Sequence, residues 1–174
     1  IVPARDAAAT LTVLLQDLHA QTHRAHMEVI VVDDHSSDGT AALVGTMAVR
    51  WPDLRLVRLE GATGKKAALT AGISVARYDL LLLTDADVRC GPMRVGTVAQ
   101  DYQRRRWDML LLPVRTDGHG FLGMLQEHEQ TALFAAAIGT FSEGAPALAY
   151  GANLAVTRQA FEGAGGYMGE RWAG

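Results

Sequence analysis

This sequence is poor in the features that mark disulfide-rich and membrane-spanning proteins. Its 174 residues include 1 cysteine, Cys90, so no internal disulfide can form and a reducing compartment is expected. No apolar stretch reaches the roughly 18 residues that a transmembrane helix needs, and the nearest, 131–141, is too short. These absences exclude a disulfide framework and a transmembrane helix within the sequence.

The sequence also lacks an excess of charge of one sign. It has 16 basic and 19 acidic residues and a net charge of -3, so no broad basic surface indicates nucleic-acid binding. The strongest basic cluster, 104–106, fits a solvated helix end better than a phosphate or lipid patch. Nucleic acid is therefore not an expected partner.

Length and hydrophobicity indicate one domain. With 49% hydrophobic residues, the chain is long enough for a single core and too short for two comfortable domains. We expect residues 1–174 to be one domain, truncated at both ends, because the sequence starts abruptly at Ile1 and stops at Gly174. We expect it to be cytoplasmic, or held at the cytoplasmic face of a membrane by segments outside this sequence.

The hydrophobic pattern alternates between the periods of strands and helices. The predicted strands are the segment ending at Val2, then 28–32, 54–59 as an edge strand, 80–84 as a buried strand, and 109–114. The predicted helices are 10–21, 40–50, 65–76, 91–105 and 120–141. This order predicts an α/β protein with a parallel sheet and right-handed crossovers.

Pairs of acidic residues follow two of the predicted strands. Asp33 and Asp34 follow one, and Asp85 and Asp87 follow another. In an open parallel sheet, ligands bind outside the carboxyl ends of the strands. Carboxylates at positions i and i+2 can face one cation, and Mg²⁺ and Mn²⁺ take oxygen ligands that they share with substrate phosphates. The sequence therefore predicts a crevice for a metal and a phosphorylated ligand.

A glycine and two lysines open the helix predicted at 65–76. Free backbone N–H groups and the ammonium of Lys65 both favour an anion there. The segment is not a Walker loop, because Leu59 and Lys66 occupy positions where that motif requires Gly and Ser or Thr. Asp38 and Thr40 are interpreted as helix caps.

Other polar residues have structural interpretations. One helix cannot turn Glu127, His128 and Glu129 to a common face, so these residues and His119 are interpreted as polar surface rather than a metal site. Asn153 is left open, because its side chain could bind an acceptor or a loop backbone.

Five segments, in this order, resemble family 2 of the inverting nucleotide-sugar glycosyltransferases, which has the GT-A fold. They are 3–6, 31–40, 64–69 with 71–72, 84–87, and 151–155 with 165–167. Each is modest alone, and together they run through nearly the whole chain. The resemblance implies a Rossmann-like, mostly parallel sheet with helices on both faces.

The resemblance also implies roles for particular residues. The nucleotide base is bordered by Pro3, Arg5 and one of Asp33 and Asp34, with Asp33 preferred. Lys65 lies near the donor, and Asp85 lies near the ribose or a metal-bound water. Asp87 binds Mg²⁺ or Mn²⁺ that bridges the diphosphate. The donor is then a nucleoside-diphosphate sugar. A hydroxyl of an unknown acceptor, a glycan or a lipid, attacks the opposite face of the sugar with inversion.

Two departures from the family pattern bear on these roles. The family often has Asn-Glu after the arginine of its first motif, where this chain has Asp6-Ala7. The family's catalytic base is an acidic residue shortly after the Gly-Gly-Tyr segment, and Glu170 is the last acidic residue here. We expect the base beyond Gly174, with Glu170 as the other candidate.

Two other classes share part of the pattern. A receiver-type phospho-acceptor signalling module has a similar acidic pocket, but it needs a lysine on a late strand, and the only lysines here are Lys65 and Lys66. A sugar nucleotidyltransferase would share the sheet and the metal, but its Gly-rich, Arg-containing first loop is absent.

Overall fold

The computed structural model describes residues 1–114 and 153–167, together with 120, 125, 127–129, 131–133 and 135. Outside 120–135, the strands and α-helices in this part are, in chain order, β1 (Val2–Ala4), α1 (Ala8–His19), β2 (Val29–Asp33), α2 (Thr40–Ala48), β3 (Leu54–Arg58), α3 (Lys65–Val75), β4 (Leu80–Thr84), α4 (Arg94–Arg105), β5 (Met109–Leu111), β6 (Asn153–Thr157) and α5 (Arg158–Gly163). A short 3₁₀ helix, Arg24–His26, lies between α1 and β2. No helix in the described residues is long and apolar enough to cross a membrane.

The strands form a mixed sheet that is parallel in its first half. β1, β2 and β3 pair in parallel, and β6 lies antiparallel between β4 and β5. Two backbone bonds join the halves, because Ile1 N–H donates to Leu82 at 2.7 Å and Thr84 N–H donates to Ile1 at 3.0 Å. The resulting order is β3-β2-β1-β4-β6-β5, with β3 at an edge as predicted.

Helices cover both faces of the sheet, because successive side chains of a strand point to opposite sides. In β2, Val29 and Val31 belong to a core shared with α1 and α2. Ile30 and Val32 pack with Ala68 of α3 on the other face. The predicted α/β fold with helices on both faces is confirmed.

Several boundaries differ from the prediction. β2 includes Asp33, β5 ends at Leu111, and α4 begins at Arg94 because the chain first crosses Gly91-Pro92. β6 was not predicted, since its residues were considered only as a motif. The helix predicted over 120–141 falls mostly outside the described residues, and those described between 120 and 135 are helical.

The first two βα loops are joined by side-chain hydrogen bonds. The Asp6 carboxylate accepts the Ser37 N–H at 2.7 Å. Asp38 accepts the Ala8 N–H at 3.0 Å and the Thr40 N–H at 2.8 Å, so one carboxylate caps the starts of both α1 and α2. The predicted capping role of Asp38 is confirmed, and it extends to a helix that begins 30 residues earlier in the chain.

α3 lies unusually close to the sheet. A Cβ added at Gly72 would be 2.5 Å from the Ile1 Cγ2 atom and 3.0 Å from the Val32 Cγ2 atom. Only a residue without a side chain allows this approach. The position of the amino end of α3, where Lys65 stands, therefore depends on Gly72 at the middle of the helix.

We predict that Gly72→Ala destabilises the protein, because overpacking costs about 1–3 kcal/mol, which exceeds the gain in helix propensity of roughly 1 kcal/mol. Gly45→Ala is the matched control. Gly45 lies in α2 with no atom within 4 Å of its added Cβ, so this substitution should stabilise the protein. Denaturant unfolding measures both, and equal changes in the two variants would contradict the close-packing argument.

The joined loops predict a pH dependence of stability. Hydrogen bonds from Ser37 lower the pKa of Asp6, and the Thr40 hydroxyl is the main cause that lowers the pKa of Asp38. A carboxyl group whose folded pKa lies below its unfolded value of about 3.9 stabilises the fold fully above that pH. This stabilisation is lost as the pH falls through the folded pKa.

The free energy of unfolding should therefore differ most between wild type and Asp6→Asn above about pH 4, and the difference should shrink as the pH falls further. Denaturant unfolding between pH 2.5 and 7 measures this. Glu60→Gln is the control, because the Glu60 side chain is exposed and forms no hydrogen bond or ion pair in the described part of the chain. A pH-independent difference for Asp6→Asn would show that the loop bonds do not depend on ionised Asp6.

Candidate functional site

A cavity of about 530 Å³ lies at the carboxyl edge of the sheet, between the ends of β1 and β4 and the start of α3. The sequence-predicted site residues that line it are Pro3, Arg5, Asp34, Lys65, Asp85 and Asp87. They come together because the carboxyl ends of parallel strands meet at one edge. Asp33 is the predicted site residue that does not line this cavity.

Asp34 is a buried carboxylate with several contacts. It is 5% exposed, and its Oδ2 atom accepts the Gly64 N–H at 2.9 Å. The Arg5 guanidinium lies 3.9 Å from the same oxygen, and His35 Nδ1 lies 3.2 Å from Oδ1. These groups offset the cost of burying the charge and leave the carboxylate at the wall of the cavity.

Asp33 is equally buried but faces the other way. The alternation along β2 places it on the side of α1 and α2, with Val29 and Val31, whereas Asp34 follows Val32 on the side of α3. Its Oδ1 atom accepts the Ser36 N–H at 3.2 Å, which stabilises the turn after the strand. The geometry therefore favours Asp34 over Asp33 as the residue that can reach a ligand.

Gly64 shapes the start of α3. Its φ of 94° lies in the region that residues with a side chain rarely adopt, and its N–H reaches Asp34. Lys65 follows directly, and its Nζ atom lies 2.5 Å from Asp85 Oδ1. The turn at Gly64 therefore brings a cation from α3 to the carboxylate that follows β4.

Asp87 differs from the other carboxylates of the cavity. It is exposed, and no hydrogen bond or ion pair to it occurs in the part of the chain that the structure describes. Asp85 is partly exposed, and its ion pair with Lys65 is made through Oδ1. The pair thus offers oxygen atoms to a cation at the open side of the cavity.

The segment after Asp87 is fastened to α1. Arg89 Nε donates to Asp17 Oδ2 at 2.7 Å, and the Cys90 N–H donates to the same oxygen at 3.1 Å. The Arg89 guanidinium lowers the pKa of Asp17. Buried Gln21 donates to the Gly91 carbonyl and accepts the Val95 N–H. Sequence patterns gave no signal for these contacts, because they join residues about 70 positions apart.

Asn153 has both ends of its amide occupied by protein groups. Its Oδ1 accepts from Arg94, and its Nδ2 donates to the Pro113 carbonyl at 3.1 Å. Of the two interpretations left open, the contacts favour the loop-backbone one. Of the residues interpreted as polar surface, His128 and Glu129 are exposed. His119 and Glu170 lie outside the described residues.

The carboxylates of this cavity can hold a hard cation only if a bound ligand supplies further oxygen atoms. Across the described residues, no group of three or more His, Cys, Asp or Glu side chains could hold a metal ion. Asp85 and Asp87 supply carboxylate oxygens from one strand end, which suits Mg²⁺ or Mn²⁺ when phosphate oxygens and waters complete the shell. The chemistry of the residues therefore fits a cation that binds together with a phosphorylated ligand.

The chain resembles characterised proteins in sequence. A dolichyl-phosphate beta-glucosyltransferase of Trichomonas vaginalis is 35% identical over 94 residues, which are 50% of this chain and 28% of that protein. The chain thus spans less than a third of this relative's length.

Solved structures share its fold. S. aureus TarS 1-349, in complex with UDP-GlcNAc, is 26% identical with a TM-score of 0.59, covering 69% of this chain and 35% of that one. A mannosyltransferase from Pyrobaculum calidifontis, in complex with GDP-Man and Mn²⁺, is 24% identical with a TM-score of 0.69, covering 95% of this chain and 45% of that one.

The family model described as Glycosyl transferase family 2 matches residues 1–161, which is most of the chain. The match includes the strand ends that build the cavity and the α3 start that faces them. It removes the receiver module from consideration. With the α/β fold shared by its structural neighbours, this chain belongs to glycosyl transferase family 2.

Proposed function

We propose that this chain is the donor-binding part of an enzyme that transfers a sugar from a nucleoside-diphosphate sugar to an acceptor hydroxyl, with inversion and with help from a divalent cation. The observation that carries the proposal is the cavity in which Asp34, Lys65 and the Asp85/Asp87 pair meet. Family membership supports it, as does the UDP-GlcNAc complex of TarS.

The base and ribose of the donor lie on the β1/β2 side of the cavity. Asp34 there presents a carboxylate, which accepts hydrogen bonds from N–H groups of a base. Pro3 and Arg5 line the same wall. The sequence-based preference for Asp33 stays a prediction, and the proposal assigns this contact to Asp34 because only Asp34 lines the cavity.

The diphosphate lies on the α3/β4 side. Lys65 and the start of α3 favour its negative charge. Asp87, with Asp85, would hold Mg²⁺ or Mn²⁺ against the phosphate oxygens. When bound, the cation supplies Lewis-acid neutralisation of the charge that grows on the leaving nucleoside diphosphate. Lys65, which already pairs with Asp85, adds a second positive charge at that place.

The acceptor is a glycan or a lipid. The lipid alternative is supported by the relative from Trichomonas vaginalis, whose name specifies dolichyl phosphate. A general base for the acceptor hydroxyl is not assigned to any described residue. The proposal keeps Glu170 and acidic residues beyond Gly174 as its candidates.

We predict that Asp34→Asn weakens binding of nucleosides and of nucleoside diphosphates alike by about ten- to a hundredfold, the worth of a charge-assisted hydrogen bond of roughly 1.5–3 kcal/mol. Asn retains an oxygen for the Gly64 N–H, so the fold should be preserved. Calorimetric titration with uridine, guanosine, UDP and GDP measures the effect. Asp33→Asn is the matched control, since Asp33 is as buried and lies next in the chain. A larger loss in Asp33→Asn would return the base contact to Asp33.

We predict that Asp87→Asn spares nucleoside binding and weakens Mn²⁺ binding in the presence of the diphosphate. The cation needs oxygens from both partners, because one or two carboxylates leave it largely hydrated. Titration of MnCl₂ into wild type, with and without UDP or GDP, should show cooperative binding. Equal Mn²⁺ affinity in wild type and Asp87→Asn, with the nucleotide present, would remove Asp87 from the metal site, and wild type that binds neither nucleotide would overturn the proposed function.

A further inference from the structure

Arg94 closes the base of the 85–93 loop, the segment that carries both candidate metal ligands. Its Nη2 group donates to the Thr84 hydroxyl at 2.6 Å. Thr84 is the last residue of β4, and Arg94 is the first residue of α4. This hydrogen bond therefore joins the two ends from which the loop projects.

The strand end before the loop is held from both faces of the sheet. Leu81 and Leu83 of β4 pack on the side of α3, and Asp85 continues this face and meets Lys65. Thr84 points to the opposite face, where its hydroxyl meets Arg94. Arg94 thus contacts Thr84 on one face of the sheet, and Lys65 contacts Asp85 on the other. The direction in which the chain leaves β4 depends on both contacts.

A second hydrogen bond of Arg94 connects the start of α4 to β6 and, through Asn153, to the end of β5. The same Nη2 group donates to Asn153 Oδ1, at the start of β6, and Asn153 Nδ2 donates to the Pro113 carbonyl, just after β5. The planar Nη2 group has two N–H donors in fixed directions, whereas the donors of a lysine ammonium rotate on a flexible stem. Since Thr84 and Asn153 are paired neighbours in the sheet, Arg94 fastens the start of α4 to this strand pair.

Folding stability alone does not account for this arginine. No carboxylate in the described residues forms an ion pair with it, and its neighbours include the Thr84 hydroxyl, the Asn153 amide, the Cys90 thiol and the Ile1 ammonium. Burial lowers the pKa of the Arg94 guanidinium, which nonetheless stays charged. A charge that is desolvated without an opposite charge is costly. The hydrogen bonds of Arg94 to Thr84 and Asn153 therefore point to a role in geometry.

We propose that Arg94 is a positioning residue, which holds the 85–93 loop so that Asp85 and Asp87 are preorganised for a divalent cation bound with a nucleoside diphosphate. This inference rests on the proposed function. Arg94 does not line the cavity, and it acts through Thr84 and the loop. Groups that orient metal ligands in this way are typically responsible for 10- to 100-fold in metal affinity.

The first test is a titration of MnCl₂ into the full chain saturated with UDP or GDP, whichever binds wild type more tightly. Arg94→Met should weaken Mn²⁺ binding by roughly 10- to 100-fold. Affinity for the matching nucleoside should be unchanged, because its contacts lie on β1 and β2. Arg94→Lys should be intermediate, since it keeps the charge but not the planar Nη2 group that donates to both acceptors. Arg104→Met is the matched control on the exposed side of the same helix.

The second test is a double-mutant cycle with Thr84→Val, which removes the hydroxyl acceptor. If Arg94 acts through Thr84, Thr84→Val alone should reproduce most of the loss in Mn²⁺ affinity, and the double variant should be little worse than either single one. Additive losses would show that Arg94 does not act through Thr84. Wild-type Mn²⁺ affinity in folded Arg94→Met would overturn the inference.

Hydrogen exchange in the ligand-free protein separates this inference from the proposed function. Arg94→Met should speed exchange at 85–93 and leave β2 and α3 unchanged, whereas general destabilisation would speed exchange throughout. Unchanged exchange at 85–93 would overturn the positioning role whatever the protein binds. A third outcome combines faster exchange at 85–93 in Arg94→Met with a wild-type protein that binds no Mn²⁺ in the presence of either nucleotide. It would support the role of Arg94 in holding the loop and overturn the link between the loop and the metal.

Discussion

The site depends on one hydrogen bond, from the Gly64 N–H to the buried Asp34 carboxylate at 2.9 Å. A buried carboxylate needs donors, and here the end of β2 takes one from the start of α3. The bond requires the left-handed conformation of Gly64, and that turn places Lys65 against Asp85. A single constraint thus links the end of β2 to the end of β4.

The position of α3 is fixed by contacts at its start, its middle and its end. Its amino end is held at Gly64, and its middle lies against the sheet at Gly72. At its carboxyl end, the Arg158 guanidinium donates to the carbonyls of Ile73 and Ala76. These contacts come from Asp34 after β2, from Ile1 and Val32 beneath the helix, and from Arg158 of α5, so the sheet and its neighbouring helix fix the position of Lys65.

The sequence predicted the elements with strong local signals and missed those that depend on distant partners. Leu80–Thr84 was predicted with its observed bounds because an all-apolar run ends at a polar turn. A choice between Asp33 and Asp34 requires the end of β2 and the face of the sheet to which each carboxylate points. A shift of one residue along a strand moves a side chain to the opposite face. β6 went unpredicted because its pairing partners precede it by about 45 to 75 residues. Arg94 carried no motif, and its role is visible only where α4, β4 and β6 meet.

The central claim is that the base contacts Asp34 and the diphosphate is held with a cation at Asp87, on opposite sides of one cavity. A crystal structure of the protein with MnCl₂ and UDP or GDP tests it most directly, because the anomalous signal of manganese locates the ion independently of the nucleotide. The account predicts manganese coordinated by Asp87 and by diphosphate oxygens, with the base beside Asp34. Manganese away from Asp87, or a nucleotide outside this cavity, would contradict it.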